Sequence, residues 1–480
     1  MYNFVLNFIS SSLNKIYQSP YYQFLSVTIT DIVFLIFIAI ILVIAANIFA
    51  KNKKKTDLRY DYFMIGLTLK LGSVIVFCIL YLTIYGGDSL AYFHNMQVLR
   101  NLFYQNPAKY FDILFNGINK GNIFFFNNET GLPTYMWKDS GSFFVSRLLS
   151  PLTILFGNSF IIISFIVAYI TYWGNWKLFL FFSEKHPALT KEMAIAALFI
   201  PSVLFWGSGI MKDTIIIFCM TYLLVSFSNL LKTKNIFVNI MVLVICSWCI
   251  IAIKPYIIVA LLPTFFIWMG YERFQKIKMK LLKSILIPVL IIGIFGGVFF
   301  TFSRLAQNLG YFGSYDSMVD RAKLVQTDLL RGEQYGENNY YIGEITGSTS
   351  NMIQLFPLAV VAGLFRPYLW EARNIFMLMS GVENFLILLL VLSVFLKRKV
   401  GVVFSIIGKD AFLLGLMVFI IFLAFGIGLS TSNFGALVRY RIPLMPVLVA
   451  SMLIVRYQYK EYMKQFEKKD TTFFTPLGKR

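Results

Sequence analysis

The sequence predicts an all-α polytopic membrane protein, with about eleven transmembrane helices and one re-entrant segment. Three observations carry that reading. Hydrophobic residues make up 58% of the chain and charged residues 14%, which excludes a soluble domain of ordinary size. Several uninterrupted apolar runs reach the length that crosses a bilayer. The Lys and Arg residues behind the formal charge of +20 stand in short loops between those runs. This is positive-inside bias rather than the groove or arm of a nucleic-acid binder.

Residues 1–26 lack the basic start of a cleavable signal and read as an exterior N-terminal segment. The first two transmembrane helices fill 27–87. The run 27–50 ends in Lys51, Lys53, Lys54, Lys55 and Arg59, so its end is cytoplasmic, and 63–85 returns outward to Gly86-Gly87-Asp88-Ser89. Residues 88–150 form an exterior loop with interfacial helices. There Leu99, Leu102, Phe103, Tyr110, Phe111, Leu114 and Phe115 fall near helical spacing, whereas 116–141 is rich in Gly, Asn, Pro and Ser.

Transmembrane helices occupy 151–302. The run 152–182 goes inward to Lys185, 194–206 outward, 214–231 inward to Lys232, and 236–253 outward to Lys254. A short run then returns to Arg273 and Lys276, and 285–302 leads out again. Residues 303–351 make a large exterior loop whose acids outnumber its bases. The re-entrant segment and the last transmembrane helices cover 352–457. The run 353–365 is short for a span and reads as re-entrant or as lying in the outer leaflet. The run 376–396 ends in Lys397, Arg398 and Lys399, while 411–428 and 442–455 bracket an exterior turn. Residues 458–480 form a cytoplasmic basic tail, helical at first.

On this topology Asp88, Lys212, Asp213, Lys254, Arg366, Glu371, Arg439 and Arg441 share the exterior face. Charge near lipid is costly, so their common side suggests a site for anionic, lipid-linked material. Each also has a plainer reading. Asp88, followed by Tyr92 and His94, is either a helix N-cap or a carboxylate that takes a proton from an acceptor hydroxyl. Lys212 and Asp213 neutralise one another at a turn, or Lys212 meets a ligand. Arg366, Trp370 and Glu371 form either an interfacial anchor or a phosphate site. Arg439 and Arg441 either snorkel or bind phosphate. Lys254 stands at a Pro-broken junction.

Cys78, Cys219, Cys246 and Cys249 all lie in apolar runs, so Cys246-x-x-Cys249 reads as helix filler; neither a disulfide nor a zinc site is expected. His94 and His186 fall on opposite sides, which leaves no two-His metal site.

An exterior Asp after an early span, interfacial helices in a long first loop, and a terminal Arg439-Tyr440-Arg441-Ile442-Pro443-x-x-Pro446 resemble the GT-C superfamily of polyprenyl-phosphate-dependent integral membrane glycosyltransferases, of the bacterial envelope polysaccharide type. Gly87-Asp88-Ser89-x-x-Tyr92 is similar to the acidic motif of that superfamily. Pro201-Ser202-x-x-Phe205-Trp206-x-Ser208-Gly209-x-x-Lys212-Asp213 and Arg366-Pro367-x-x-Trp370-Glu371 look like signatures of a narrower subgroup. The chain departs in two ways: an additional span precedes the one that delivers Asp88, and a single acid stands where several members carry a pair. The second departure speaks against a metal-dependent variant.

The resemblance implies a sugar donor on a polyprenyl phosphate and a glycan or lipid-linked acceptor, at the exterior or periplasmic face of a bacterial inner membrane. Asp88 would be the general base. Lys212, Lys254, Arg366, Arg439 and Arg441 would meet the donor phosphate, supported by Tyr92, His94, Asp213, Trp370 and Glu371. No cofactor is implied, with a divalent ion left open. Two other functions fit the exterior charges. One is a polysaccharide polymerase that joins lipid-linked repeat units. The other is a transporter or flippase of lipid-linked glycans, which predicts internal repeats that are not evident.

Overall fold

The computed structural model describes residues 27–275, 315–329, 338–346 and 348–473. In chain order its helices are α1 (Ile29–Lys54), α2 (Asp61–Leu80), α3 (Asp88–Gln105), α4 (Pro107–Asn116), α5 (Ser140–Phe156), α6 (Phe160–Lys185), α7 (Thr190–Leu198), α8 (Pro201–Trp206), α9 (Lys212–Leu231), α10 (Ile236–Ile253), α11 (Tyr256–Gln275), α12 (Tyr315–Leu329), α13 (Thr349–Phe365), α14 (Ile375–Phe395), α15 (Val400–Lys409), α16 (Ala411–Ser430), α17 (Phe434–Tyr440) and α18 (Met445–Phe473). The described residues are all-helical apart from their connections and a single antiparallel bridge, Asn339 to Asn433.

Six of these helices are long and apolar enough to cross a membrane: α1, α2 with its flanking turns (Leu58–Tyr85), α9, α10, α14 and α16. The bent pairs α5–α6 and α17–α18 raise the number to eight if each is one span. Among the described residues this is fewer than the apolar runs suggested, and several of the differences have local causes. The run 152–182 is split: α5 and α6 meet at 113°, at Gly157, whose φ of +87° a side chain would resist. The run 194–206 breaks into α7 and α8 ahead of Pro201, which lacks a backbone N–H, and neither piece has the length of a span. The run 442–455 belongs to α18, which continues to Phe473 and meets α17 at a 65° bend. The run 353–365 lies in the continuous helix α13, whose start is capped by Ser348. The segment 303–351, expected as a large exterior loop, contains α12 and an extended piece at 338–346. Helix α15 was not anticipated. The expected span 285–302 and the segment 1–26 lie outside the described residues.

The chain divides into two units, Met1–Phe181 with Ala197–Pro255, and Phe182–Ala196 with Tyr256–Arg480. In the first, α1 begins at a capping box: Asp31 N donates to Thr28 Oγ1 (3.2 Å) and Thr28 N to Asp31 Oδ2 (2.9 Å). Helix α2 ends in a π-turn, Tyr81–Tyr85. Gly86 and Gly87 follow at φ of +57° and +71°, and this glycine-only conformation turns the chain into α3. Helices α3 and α5 then run side by side in the same direction. Ser146 Oγ donates to Tyr92 O (3.1 Å) and, further along both helices, Arg100 Nε donates to Thr153 O (3.1 Å). Leu99, Leu102, Tyr110, Ile113 and Phe143 fill the apolar core beside them.

In the second unit α13 and α16 approach backbone to backbone. Ala359 and Gly363 on α13 face Ala424 and Gly428 on α16, so that a Cβ on Gly428 would overlap the Ala359 carbonyl and one on Gly363 the Ala424 carbonyl. Two small-xxx-small faces thus dock on each other, a packing that works in lipid because it relies on close contact rather than on water exclusion.

Candidate functional site

The first unit gathers its predicted charges at one end. Asp88 is the first residue of α3, Asp139 precedes α5, Lys212 and Asp213 open α9, and Lys254 closes α10. Because α3 and α5 run in parallel, Asp88 and Asp139 stand at the same end of the pair. Ser89 Oγ donates to Ile210 O (3.0 Å), which ties the start of α3 to the turn ahead of α9. Lys212 Nζ bonds Asp139 Oδ2 (2.8 Å), and the same oxygen accepts from Ser142 Oγ (2.6 Å). Gly141 lets α5 reach the end of α10, since a Cβ there would stand 3.0 Å from Ile253 O. Three helix N-termini are therefore tied together, each with free amide hydrogens and partial positive charge.

Burial separates the roles of these groups. Lys254 and Asp213 form a buried ion pair, with side chains 8% and 2% exposed, so their charges cancel within the protein. Lys212 and Asp139 are more open, at 20% and 50%, and Asp88 is half-buried. Tyr92 is buried, and His94 Nε2 lies 3.1 Å from Leu132 O. Burial lowers the His94 pKa, and that carbonyl partly opposes the shift.

Two groups here escaped the sequence reading. Asp139 sits in a stretch whose composition predicts loop, and its signal is its place just before an apolar helical run. It supplies a second carboxylate where one acid was expected. Lys70, inside α2, is fully buried and donates to the carbonyl of Gly207, behind the turn that presents Lys212. A lone lysine in an apolar run was the signal.

The second unit holds Arg366, Glu371, Trp370, Arg439 and Arg441. Arg366 Nη2 pairs with Glu371 Oε1 (2.8 Å), and its guanidinium lies over the rings of Tyr340 (4.8 Å) and Tyr368 (5.8 Å). Tyr340 arrives there because the extended piece is bonded to the 432–434 turn, with Tyr340 N to Ser432 O at 2.8 Å and Phe434 N to Asn338 O at 3.0 Å. Burial pushes the Tyr340 phenol upward in pKa, against the pull of Arg366 and Arg441.

Arg441 is fully buried, so its geometry departs from the phosphate-binding expectation. Its Nη1 donates to Arg366 O (2.6 Å) and Leu364 O (3.4 Å), and its Nη2 to Asn384 Oδ1. It is a positioning residue. Arg439 is half-buried on α17, beside the Tyr440 ring at 6.0 Å. Among the described residues no group of three His, Cys, Asp or Glu side chains is arranged to hold a metal ion. No family model, curated protein or solved structure matches the chain.

Proposed function

We propose that the chain is a membrane glycosyltransferase that moves a sugar from a polyprenyl-phosphate donor to an acceptor at the exterior face of a bacterial inner membrane, in envelope glycan assembly. The observation that carries this reading is the Lys212–Asp139 pair at the starts of α9 and α5, with Ser89 tying the start of α3, and so Asp88, to the turn ahead of Lys212.

In this mechanism Asp88 accepts the proton of the acceptor hydroxyl as its oxygen bonds to the anomeric carbon of the donor sugar. The bond from that carbon to the phosphate oxygen breaks, and the electron pair leaves with the phosphate. Lys212 and the amides at the helix starts face the charge that builds there. Asp139 holds Lys212 in place until the anion takes over its donors. Lys254 acts through Asp213, which fixes the start of α9. Within the second unit, Arg441 supports Arg366 through its carbonyl.

The test compares lipid-linked and surface glycans in cells carrying wild type, a deletion and Asp88→Asn. The expected result is loss of one sugar, with its donor accumulating in both altered strains. Loss of long chains with intact single repeat units would indicate a polymerase instead. Wild-type glycans in Asp88→Asn would remove Asp88 as the base.

A further inference from the structure

We propose that Tyr368 and Trp370 form a stacking platform for a pyranose ring, with Arg366 and Glu371 at its edge to meet hydroxyl groups. This inference rests on the glycan reading above and adds to it a place where a neutral sugar is held in the second unit.

The loop that bears Trp370 is fixed from behind. Arg441 holds the Arg366 carbonyl, Asn384 Nδ2 donates to Pro367 O (2.9 Å), and Tyr368 N donates to Glu371 Oε2 (2.8 Å). Gly381 of α14 packs beneath, where a Cβ would stand 3.4 Å from Leu369 Cα. This rigid loop nonetheless leaves Trp370 75% exposed. Its indole stacks on Tyr368 with centroids 4.9 Å apart and planes at 19°. Next to the rings, Arg366 and Glu371 keep 24% and 16% of their side chains accessible.

A pyranose has one face lined with C–H bonds and a rim of hydroxyls. The electron-rich face of an aromatic ring attracts the former, and planar groups that donate and accept suit the latter. An interfacial anchor would need only an aromatic at headgroup depth, without a scaffold of three hydrogen bonds and a close-packed glycine. A phosphate would have to displace Glu371 from Arg366, and Glu371 is only 16% exposed and also holds the Tyr368 amide, unlike the half-exposed Asp139 beside Lys212. A neutral ring fits both observations.

The test uses the full chain in phosphatidylcholine nanodiscs, with saturation-transfer NMR against neutral trisaccharides of glucose, mannose and N-acetylglucosamine. Saturation of ring protons is expected with at least one of them. Trp370→Phe should retain binding, and Trp370→Leu should weaken it about tenfold. Trp370 is exposed enough for both variants to fold, which unchanged melting would verify. The platform is overturned if no trisaccharide is saturated, if Trp370→Leu binds like wild type, or if dibrominated acyl chains quench the fluorescence lost in Trp370→Phe, which would mark a lipid anchor. The two proposals fail separately. Sugar binding that persists beside normal glycans in the deletion strain keeps the platform and removes the transferase. A lost platform beside a missing sugar and accumulated donor in the deletion and Asp88→Asn strains does the reverse.

Discussion

Lys254 and Asp213 illustrate how one side chain can be indispensable without touching a ligand. Each is buried, so removing either charge strands the other in a poorly solvated place. Asp213→Asn or Lys254→Met is expected to cost about 3 kcal/mol or more, and the double variant Asp213→Asn/Lys254→Met less than the sum. Unfolding of purified protein in detergent would check this. Arg441→Leu likewise leaves the carbonyls of Leu364 and Arg366 and the Asn384 amide without a donor, an expected loss of about 3 kcal/mol. The grouping of Asp88, Lys212, Asp213 and Lys254 was legible in the sequence, because short loops deliver them all to one side. The burial of Arg441 was not, since an Arg beside two prolines looks the same whether it faces a ligand or a carbonyl.

His94 adds a pH dependence at this scale. Burial lowers its pKa, so the folded protein takes up this proton less readily than the unfolded chain. Its contribution to stability is therefore complete above about pH 6.5 and fades as pH falls through the lowered value. His94→Gln should flatten the decline in melting temperature on acidification. The remaining slope should include His186, whose pKa burial also lowers, against the attraction of Asp410.

At the scale of elements, the contact between α13 and α16 makes a sharp contrast. Gly428 faces the Ala359 carbonyl, while Gly426 on the same helix has no atom within 4 Å of an added Cβ. Gly428→Ala should destabilise by about 1–3 kcal/mol by forcing the helices apart. Gly426→Ala should be neutral or stabilising, because alanine is the better helix former. Melting of the two variants side by side separates the packing effect from propensity. Sequence patterns predicted helices correctly in most places but missed their bends. Gly157-Asn158-Ser159 interrupts the apolar run, a turn signal too short to divide a span by hydropathy. The backbone at that glycine shows α5 and α6 to be separate rods.

For the whole molecule, the charged loops make an orientation test straightforward. The native cysteines are all buried, so an introduced thiol gives a clean signal. Lys120→Cys should react with a membrane-impermeant maleimide in intact cells, whereas Lys53→Cys and Lys397→Cys should react only after permeabilisation. Labelling of Lys53→Cys from outside would invert the topology and move the proposed chemistry to the cytoplasm. The class of fold was readable because lipid demands long apolar helices. The span number was less so, because an apolar run can also be two short helices buried by their neighbours, as α7 and α8 show.

The parallel course of α3 and α5 also constrains the path of the chain. Neighbouring helices of opposite direction can be joined by a few residues, but here the chain must travel back along the whole of α3 before α5 can start. Eighteen residues of helix span about 27 Å, a distance that about eight extended residues could cover. The connection uses 106–139 instead, several times the reach required. The length beyond tethering lines α3, where Asn95 bonds Thr134, Asn101 bonds the Thr130 carbonyl and Phe126 joins the apolar core, so the return segment braces the helix that carries Asp88.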